Sequence, residues 1–423
     1  MRLKDTKKSL KELGKQLDVQ YVLVGSVRKA GSNLRITAQL IDARDDRHLW
    51  AEKYSGTLDD VFDIQERVSR AIVDALEMKL SPEAGKKIGE RPVQDVRAYE
   101  FYLRAHQEWN RGTENSLDRA LQHLEKGLEI SGENAILYAG MGLVYGNYVE
   151  MGLKAREPTL NKAQELANRV MTLAPHSSSS QKLLGRLERL RGSLTKAIRY
   201  FERALANDPK DPETLMWLSW HYTLFAGMPS TVDPLIVKLI EIDPLSAINH
   251  VPLVWSHFMR GHLDRSISLL RELMKMQPEF RTCHFFCAQL LARNGQVEEA
   301  LALIDQTVKD DPNDVIAVLC TFFKHALQGE KARASQMMTE ELRAYAWHDP
   351  ELPWFMTGWH ALLGEKEEAL NWLERAVARG WINYPLFSEI DPFLEKIRGE
   401  ERFKRLMVQV KHEWEDFEPR LPG

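Results

Sequence analysis

Residues 281–312 read RTCHFFCAQLLARNGQVEEALALIDQTVKDDP. From Arg281 to Ala292 apolar and small residues recur three and four positions apart, the spacing of a helix face. Asn294-Gly295 breaks that pattern, and it resumes from Val297 to Lys309. Asp310-Asp311-Pro312 ends it, because proline has no amide to donate and its ring clashes with the preceding turn. The stretch predicts two antiparallel helices joined by a glycine turn. Ala288 and Ala300 let the two backbones come close, and Leu291 and Ile304 fill the space around them.

Working outward, the closing proline recurs at Pro175, Pro209, Pro244, Pro278 and Pro312, in steps of 34, 35, 34 and 34 residues. Small or slim residues about twelve positions earlier, Ala163, Ala197, Val232, Ser266 and Ala300, keep the same steps. That series extends to Ala334 and Ala369, and back to Ala120 across a gap of 43. Gly192, Gly261, Gly295 and Gly364 each stand five residues before the small residue, and Gly329 keeps this offset before Ala334. A period held by several residue classes marks a repeat architecture. On these residues the chain resembles the tetratricopeptide repeat family over residues 98–378, about eight units. The resemblance implies a mainly α fold, an α-solenoid whose helix pairs stack into a right-handed superhelix. Three stretches depart from the pattern. The unit near Ala120 has a longer turn, Arg111 to Ser116, an insertion lies around Val149 to Pro158, and the unit at Ala334 lacks its closing proline, with Pro350 coming later. Residues 379–423, with Ile390-Asp391-Pro392-Phe393 and a charged helix to about Phe417, are expected to cap the array.

Residues 1–85 do not share the period. An amphipathic helix is expected over Asp5 to Leu17, strands over Tyr21–Lys29, Leu34–Ala43 and His48–Tyr54, and a helix over Leu58–Leu80 opened by Thr57 or Asp59-Asp60. Ala30-Gly31-Ser32-Asn33 joins the first two strands as a hairpin. The run Tyr21-Val22-Leu23, Gly25-Ser26-Val27-Arg28, Leu34 to Asp42, His48-Leu49-Trp50-Ala51-Glu52 and Phe62-Asp63-Ile64-Gln65 is similar to the C-terminal part of the TolB-like domain that precedes tetratricopeptide repeats in bacterial signalling proteins. That resemblance implies a small, incomplete α/β domain over 1–85, with residues 86–97 as a linker. It also implies that the chain starts after a further strand and helix. The sheet would then keep an open edge, a route to self-association.

The chain has 57 Lys+Arg against 61 Asp+Glu, a net charge of -4, which excludes a basic footprint for nucleic acid spread over the whole chain. Three cysteines exclude a disulfide scaffold. Arg2, Lys4, Lys7 and Lys8 precede no apolar stretch, so no secretory signal is expected. The longest near-apolar run, Val315 to Phe323, is far short of the ~20 residues of a membrane helix. A cytoplasmic location is expected, or an extracytoplasmic one if a membrane helix lies upstream.

Converging catalytic groups are not evident, and no cofactor or metal is expected. Gly140, Gly142 and Gly146 lie inside a helical run with no preceding strand, unlike a dinucleotide loop. Gly85-Lys86 lacks the upstream glycine and the hydroxyl residue of a phosphate loop. Cys283 and Cys287, beside His284, lack two further zinc ligands and read as packed thiols. His257 and His262 read as surface or packing residues. The chain reads as non-enzymatic.

The inner faces of the first helices carry the partner expectation. One unit offers Lys182, Arg186 and Arg189, a basic stretch. Later units offer Trp217, His221 and Phe225, then Trp255 and Phe258, then Phe285 and Gln289, then Phe323, then Trp354. A helix apolar on both faces is buried twice or binds something. A concave groove, basic early and aromatic later, is expected to take a peptide or protein. If the superhelix closes on itself, or the C-terminal tail fills the groove, these side chains are core instead. The expected function is a protein–protein interaction scaffold, the regulatory or sensory region of a bacterial signalling system. The alternative is a fragment of an adenylate cyclase, protein kinase or winged-helix regulator.

Overall fold

The computed structural model describes residues 9–17, 19–78, 85, 88, 91, 93–109, 111, 113–310, 312 and 314–421. Asp5 to Lys8 of the expected first helix, Leu80, Lys86 and other positions of the expected linker lie outside them. The chain divides into two compact units, Met1–Gly140 and Met141–Gly423.

In the first unit, α1 (Leu10–Leu17) precedes the strands β1 (Tyr21–Ala30), β2 (Asn33–Asp42) and β3 (Arg47–Thr57). They form an antiparallel sheet in the order β1-β2-β3, with Tyr21 opposite Asp42 and Asn33 opposite Thr57. Alternation decides the faces: Leu34, Ala38 and Leu40 of β2 are buried on the side of α2 (Val61–Ala75), with Tyr54, Phe62 and Ile64. The Asp60 carboxylate accepts the Thr57 amide at 2.7 Å and so fixes the turn into α2. That helix leaves β1 uncovered: Leu23 is 50% and Val27 66% exposed.

The helices α3 (Val96–Trp109) and α4 (Glu114–Ser131) group with the sheet rather than with the later repeats. The Phe62 ring packs on Tyr99 at 5.2 Å, and Arg91 pairs with Asp63, so α2 and α3 share a core.

The pairing continues with α5 (Ala135–Glu150) and α6 (Arg156–Leu173), α7 (Ser178–Arg191) and α8 (Leu194–Asn207), α9 (Pro212–Trp220) and α10 (Asp233–Ile242), and α11 (Ala247–Met259) and α12 (Leu263–Met276). Then come α13 (Arg281–Arg293) and α14 (Val297–Asp310), and α15 (Val315–Leu327) and α16 (Lys331–Met337). α17 (Glu340–His348) resumes after a break at Met338-Thr339, where the Thr339 hydroxyl caps it by accepting the Leu342 amide. α18 (Leu352–Leu362) pairs with α19 (Lys366–Ala378), and α20 (Glu395–Arg398) and α21 (Glu401–Glu415) follow. The fold is an α-solenoid preceded by a small three-stranded sheet.

The periodic small residues sit where the helices of a pair cross. Ala163, Ala197, Val232, Ser266, Ala300 and Ala369 are fully enclosed. Ser266 keeps its hydroxyl satisfied by donating to the Val254 carbonyl of the facing helix at 2.8 Å. The periodic glycines Gly192, Gly261, Gly295, Gly329 and Gly364 all have φ between 69° and 85°, the left-handed conformation that ends a helix without a Cβ clash.

The groove expectation is corrected here, because the inner faces are not open. Residues of α18 and the segment after α19 lie on them. Trp255 meets Trp354 at 5.7 Å, Phe285 meets Phe355 at 5.1 Å, and Phe323 meets Trp359 at 5.5 Å. Phe225 meets Trp381 at 4.6 Å, and the Ile382 amide donates to the Phe225 carbonyl. His221, Trp255, Phe258, Gln289, Phe323 and Trp354 have no exposed surface; Phe225 and Phe285 are nearly enclosed, and only Trp217 keeps part of its ring accessible. Gln289 accepts from Arg293 and from the Trp359 indole, and Arg293 forms a fully enclosed pair with Asp391 at 3.1 Å. The aromatics are core because the chain's own C-terminal helices cover them.

Trp255→Ala is therefore a core lesion. It should lower the unfolding free energy by about 3–5 kcal/mol in urea titrations. A loss under about 1 kcal/mol, the value of an exposed site, would contradict the packing described.

Candidate functional site

The basic stretch Lys182, Arg186 and Arg189 forms one stripe of α7, at i, i+4 and i+7. Its charges are matched by this chain's own carboxylates. Arg189 donates Nη1 to Glu150 and Nη2 to Glu351, both at 2.7 Å, and lies 4.6 Å over the Trp217 ring. Arg186 donates to Glu150 at 2.5 Å and to Asn147 at 2.9 Å. Lys182 bonds Asp211 and Glu213, each at 3.1 Å. An acidic ligand would have to displace these partners.

The cluster sets its own ionisation. Burial pushes the Glu150 carboxyl up, but Arg189 and Arg186 overcome it and hold the group at about 2. Burial pushes Glu351 up as well and there prevails over the pull of Arg189, taking it to about 7, with the Asp349 carboxylate adding to the rise. Asp349 is raised too, mainly by burial. His221 is enclosed, with Nδ1 2.6 Å from the Trp217 carbonyl oxygen, and burial beside Arg189 lowers it to about 3, so it stays neutral near pH 7.

Next to this cluster a cleft of about 470 Å³ opens between the turn from α5 to α6 and helix α17. Val149, Leu153, Leu190, Ala344 and Pro350 form apolar walls, and Arg156, Tyr345, His348 and Asp349 supply polar groups. The Tyr345 hydroxyl donates to the Glu150 carbonyl at 3.2 Å. Its ring lies against Gly152, where an added Cβ would come within 3.1 Å. At the base, the Leu190 carbonyl closing α7 accepts from both Arg156 and Arg379. Cations at a helix C-terminus are favourably placed against its dipole.

The repeat pattern does not point to these cleft residues. Apart from Leu190 of α7, they lie around two of the stretches that depart from it, the insertion at Val149 to Pro158 and the segment leading to the late Pro350. Among the described residues no group of three or more His, Cys, Asp or Glu side chains could hold a metal. Cys283 and Cys287 are buried thiols, raised to about 12 and about 11 by desolvation. No described helix is long and apolar enough to cross a membrane.

Two tetratricopeptide-repeat family profiles match, over residues 178–219 and 257–319. The chain carries tetratricopeptide repeats. Over 135 residues, 32% of the chain, it is 36% identical to "Putative adenylate cyclase 3" of Rhizobium meliloti, covering 23% of that protein. Over 185 residues, 44% of the chain, it is 23% identical to the TPR repeat-containing protein YpiA of Bacillus subtilis, covering 43% of it. The chain thus spans less than half of either relative. Among solved structures, a Rap protein complexed with Competence and Sporulation Factor superposes with a TM-score of 0.52 at 13% identity, over 75% of this chain and 99% of that one. This likeness supports the tetratricopeptide solenoid as a fold.

Arg189→Met should cost about 3–5 kcal/mol, because Glu150 and Glu351 are left facing each other without their shared cation. Glu351 also sets a pH dependence. Raised to about 7, it holds its proton in the folded chain where the unfolded chain has lost it. Its contribution is therefore most favourable below the unfolded carboxyl value of about 4.3 and falls as pH rises through neutrality. Urea midpoints should decline from about pH 5 to 8, and Glu351→Gln should flatten that decline.

Proposed function

We propose that this tetratricopeptide chain is a non-catalytic protein–protein interaction scaffold, serving as the regulatory or sensory region of a bacterial signalling system. The observation that supports this reading is the run of helix pairs, matched by tetratricopeptide-repeat profiles over residues 178–219 and 257–319. The concave faces are occupied by α18 and the segment after α19, so a protein or peptide partner is held elsewhere. The uncovered strand β1 is the surface we favour. Among the described residues no strand pairs with its outer edge, and Leu23 and Val27 are exposed on it. Self-association or strand addition at that edge follows.

A second reading, that the chain is part of a larger cyclase, kinase or winged-helix regulator, is favoured by the 36% identity with part of the Rhizobium protein. The two readings differ in whether an effector is attached, not in what the repeats do.

Light scattering after size exclusion should show association that increases with concentration. The double variant Leu23→Lys/Val27→Lys should run as a monomer with an unchanged circular dichroism spectrum. Equal association of both proteins would remove β1 as the docking edge. Incubated with ATP and magnesium, the chain should form neither cyclic AMP nor ADP; turnover of either kind would overturn the non-catalytic reading.

A further inference from the structure

The cleft between the α5–α6 turn and α17 presents two charged groups of opposite sign whose hydrogen-bonding capacity is only partly used. Arg156, half-buried at the cleft, donates to the Leu190 carbonyl and has no carboxylate within ion-pair distance among the described residues. A guanidinium has five donors in a planar fork, so most of them remain available. Asp349 uses Oδ1 to accept the amides of Glu351 and Leu352, at 2.8 and 2.7 Å, while Oδ2 takes no hydrogen bond among the described residues. Both groups line the same cleft, which also has apolar lining residues, and the Asp349 charge acts on Arg156 without an ion-pair contact.

Besides Asp349, the Glu157 carboxylate acts on Arg156 through its charge, without an ion-pair contact. Glu150 is bound by Arg186 and Arg189. Arg379 and Arg375 donate to the backbone carbonyls of Leu190 and Trp347. Burial, together with Arg156, Arg375 and Arg379, keeps His348 below its ordinary value and so neutral. Lys154 and Glu341 are exposed at the rim.

We propose that this cleft binds a small zwitterion, an α-amino acid or short peptide with an aliphatic or aromatic side chain, whose carboxylate pairs with Arg156 and whose ammonium group pairs with Asp349. Arginine matches a carboxylate bidentately, which favours this end of the ligand over a neutral amide. A plain fatty acid would lay its tail against the free Asp349 oxygen, and a plain amine would leave Arg156 unpaired. Each leaves one charge desolvated without a partner, which is unfavourable. The volume of about 470 Å³ falls within the range of small-molecule pockets and far below what a folded partner needs. The cleft takes such a ligand whether or not the outer surfaces hold a protein.

Isothermal titration calorimetry of the full chain with L-leucine, L-phenylalanine, L-leucyl-L-leucine, isocaproate and isoamylamine tests this. At least one of the three zwitterions should bind with a Kd below about 1 mM, and isocaproate and isoamylamine at least ~10-fold more weakly. Arg156→Gln and Asp349→Asn should each weaken the bound zwitterion by ~10-fold or more, and Lys154→Ala should not. Tighter binding of the dipeptide than of the free amino acids would identify a peptide ligand; the reverse would identify an amino acid. Failure of all three zwitterions to bind overturns the proposal. So does isocaproate binding as tightly as leucine, or undiminished binding to a folded Arg156→Gln protein. Because Asp349 also caps α18, Arg156→Gln decides if the Asp349 variant fails to fold.

Discussion

The close approach of two helix backbones, once every 34 or 35 residues, is the constraint on which the repeat region depends. It is possible because Ala197, Ala300 and Ala369 present a methyl group or little more at the crossing, and because Ser266 turns its hydroxyl onto a carbonyl instead of leaving it unpaired. A larger side chain there would push the helices apart and overpack the neighbours. Once each pair is fixed, its first helix has a second apolar face with no partner inside the pair. Trp354, Phe355 and Trp359 of α18 cover that face, and the aromatic contacts from Phe225 to Phe323 follow from the need to remove it from water.

Charge supplies the register that aromatic packing alone lacks. Rings tolerate small shifts, whereas Arg189 must meet Glu150 and Glu351 together, and Arg293 must meet Asp391 in an enclosed site. Buried ion pairs are weak contributors to net stability but strongly penalise wrong arrangements, since a slipped register strands a charge. The Arg189 bridge joins α5, α7 and the start of α18, and the cleft opens beside it. Glu150 belongs both to this bridge and to the lining of the cleft.

Much of this was legible in the sequence. The two helices read from residues 281–312 appear at Arg281–Arg293 and Val297–Asp310, and the glycines at the fixed offset are the left-handed ones. The hairpin over Ala30 to Asn33 and the three strands were legible from alternation; the expected cap of α2 was not met as such, since Asp60 turns its carboxylate back to the Thr57 amide and makes no side-chain cap to the helix. What covers the aromatic faces was not. Periodicity shows that Trp255 and Phe285 point away from the paired helix, but an identical pattern arises whether peptide or C-terminal helix fills the space. The basic stripe was legible as a stripe; its pairing was not, because Glu351 lies 162 residues from Arg189. Most of the cleft lies where the repeat breaks down, and a periodic template carries no information at its own exceptions.

The docking of α18 onto α11 and α13 also changes how the chain unfolds. An open solenoid approximates a one-dimensional array: each unit is stabilised by its neighbours, so ends fray and units can be lost singly. Here Arg379 bonds the end of α7 from 189 residues away, and Asn383 bonds the Leu224 carbonyl from 159. Such contacts close long loops, whose entropy must be lost before any of them forms. Folding is then slower than local helix pairing alone would allow. The repeats from α7 to α19 open together as one cooperative block instead of unzipping from an end.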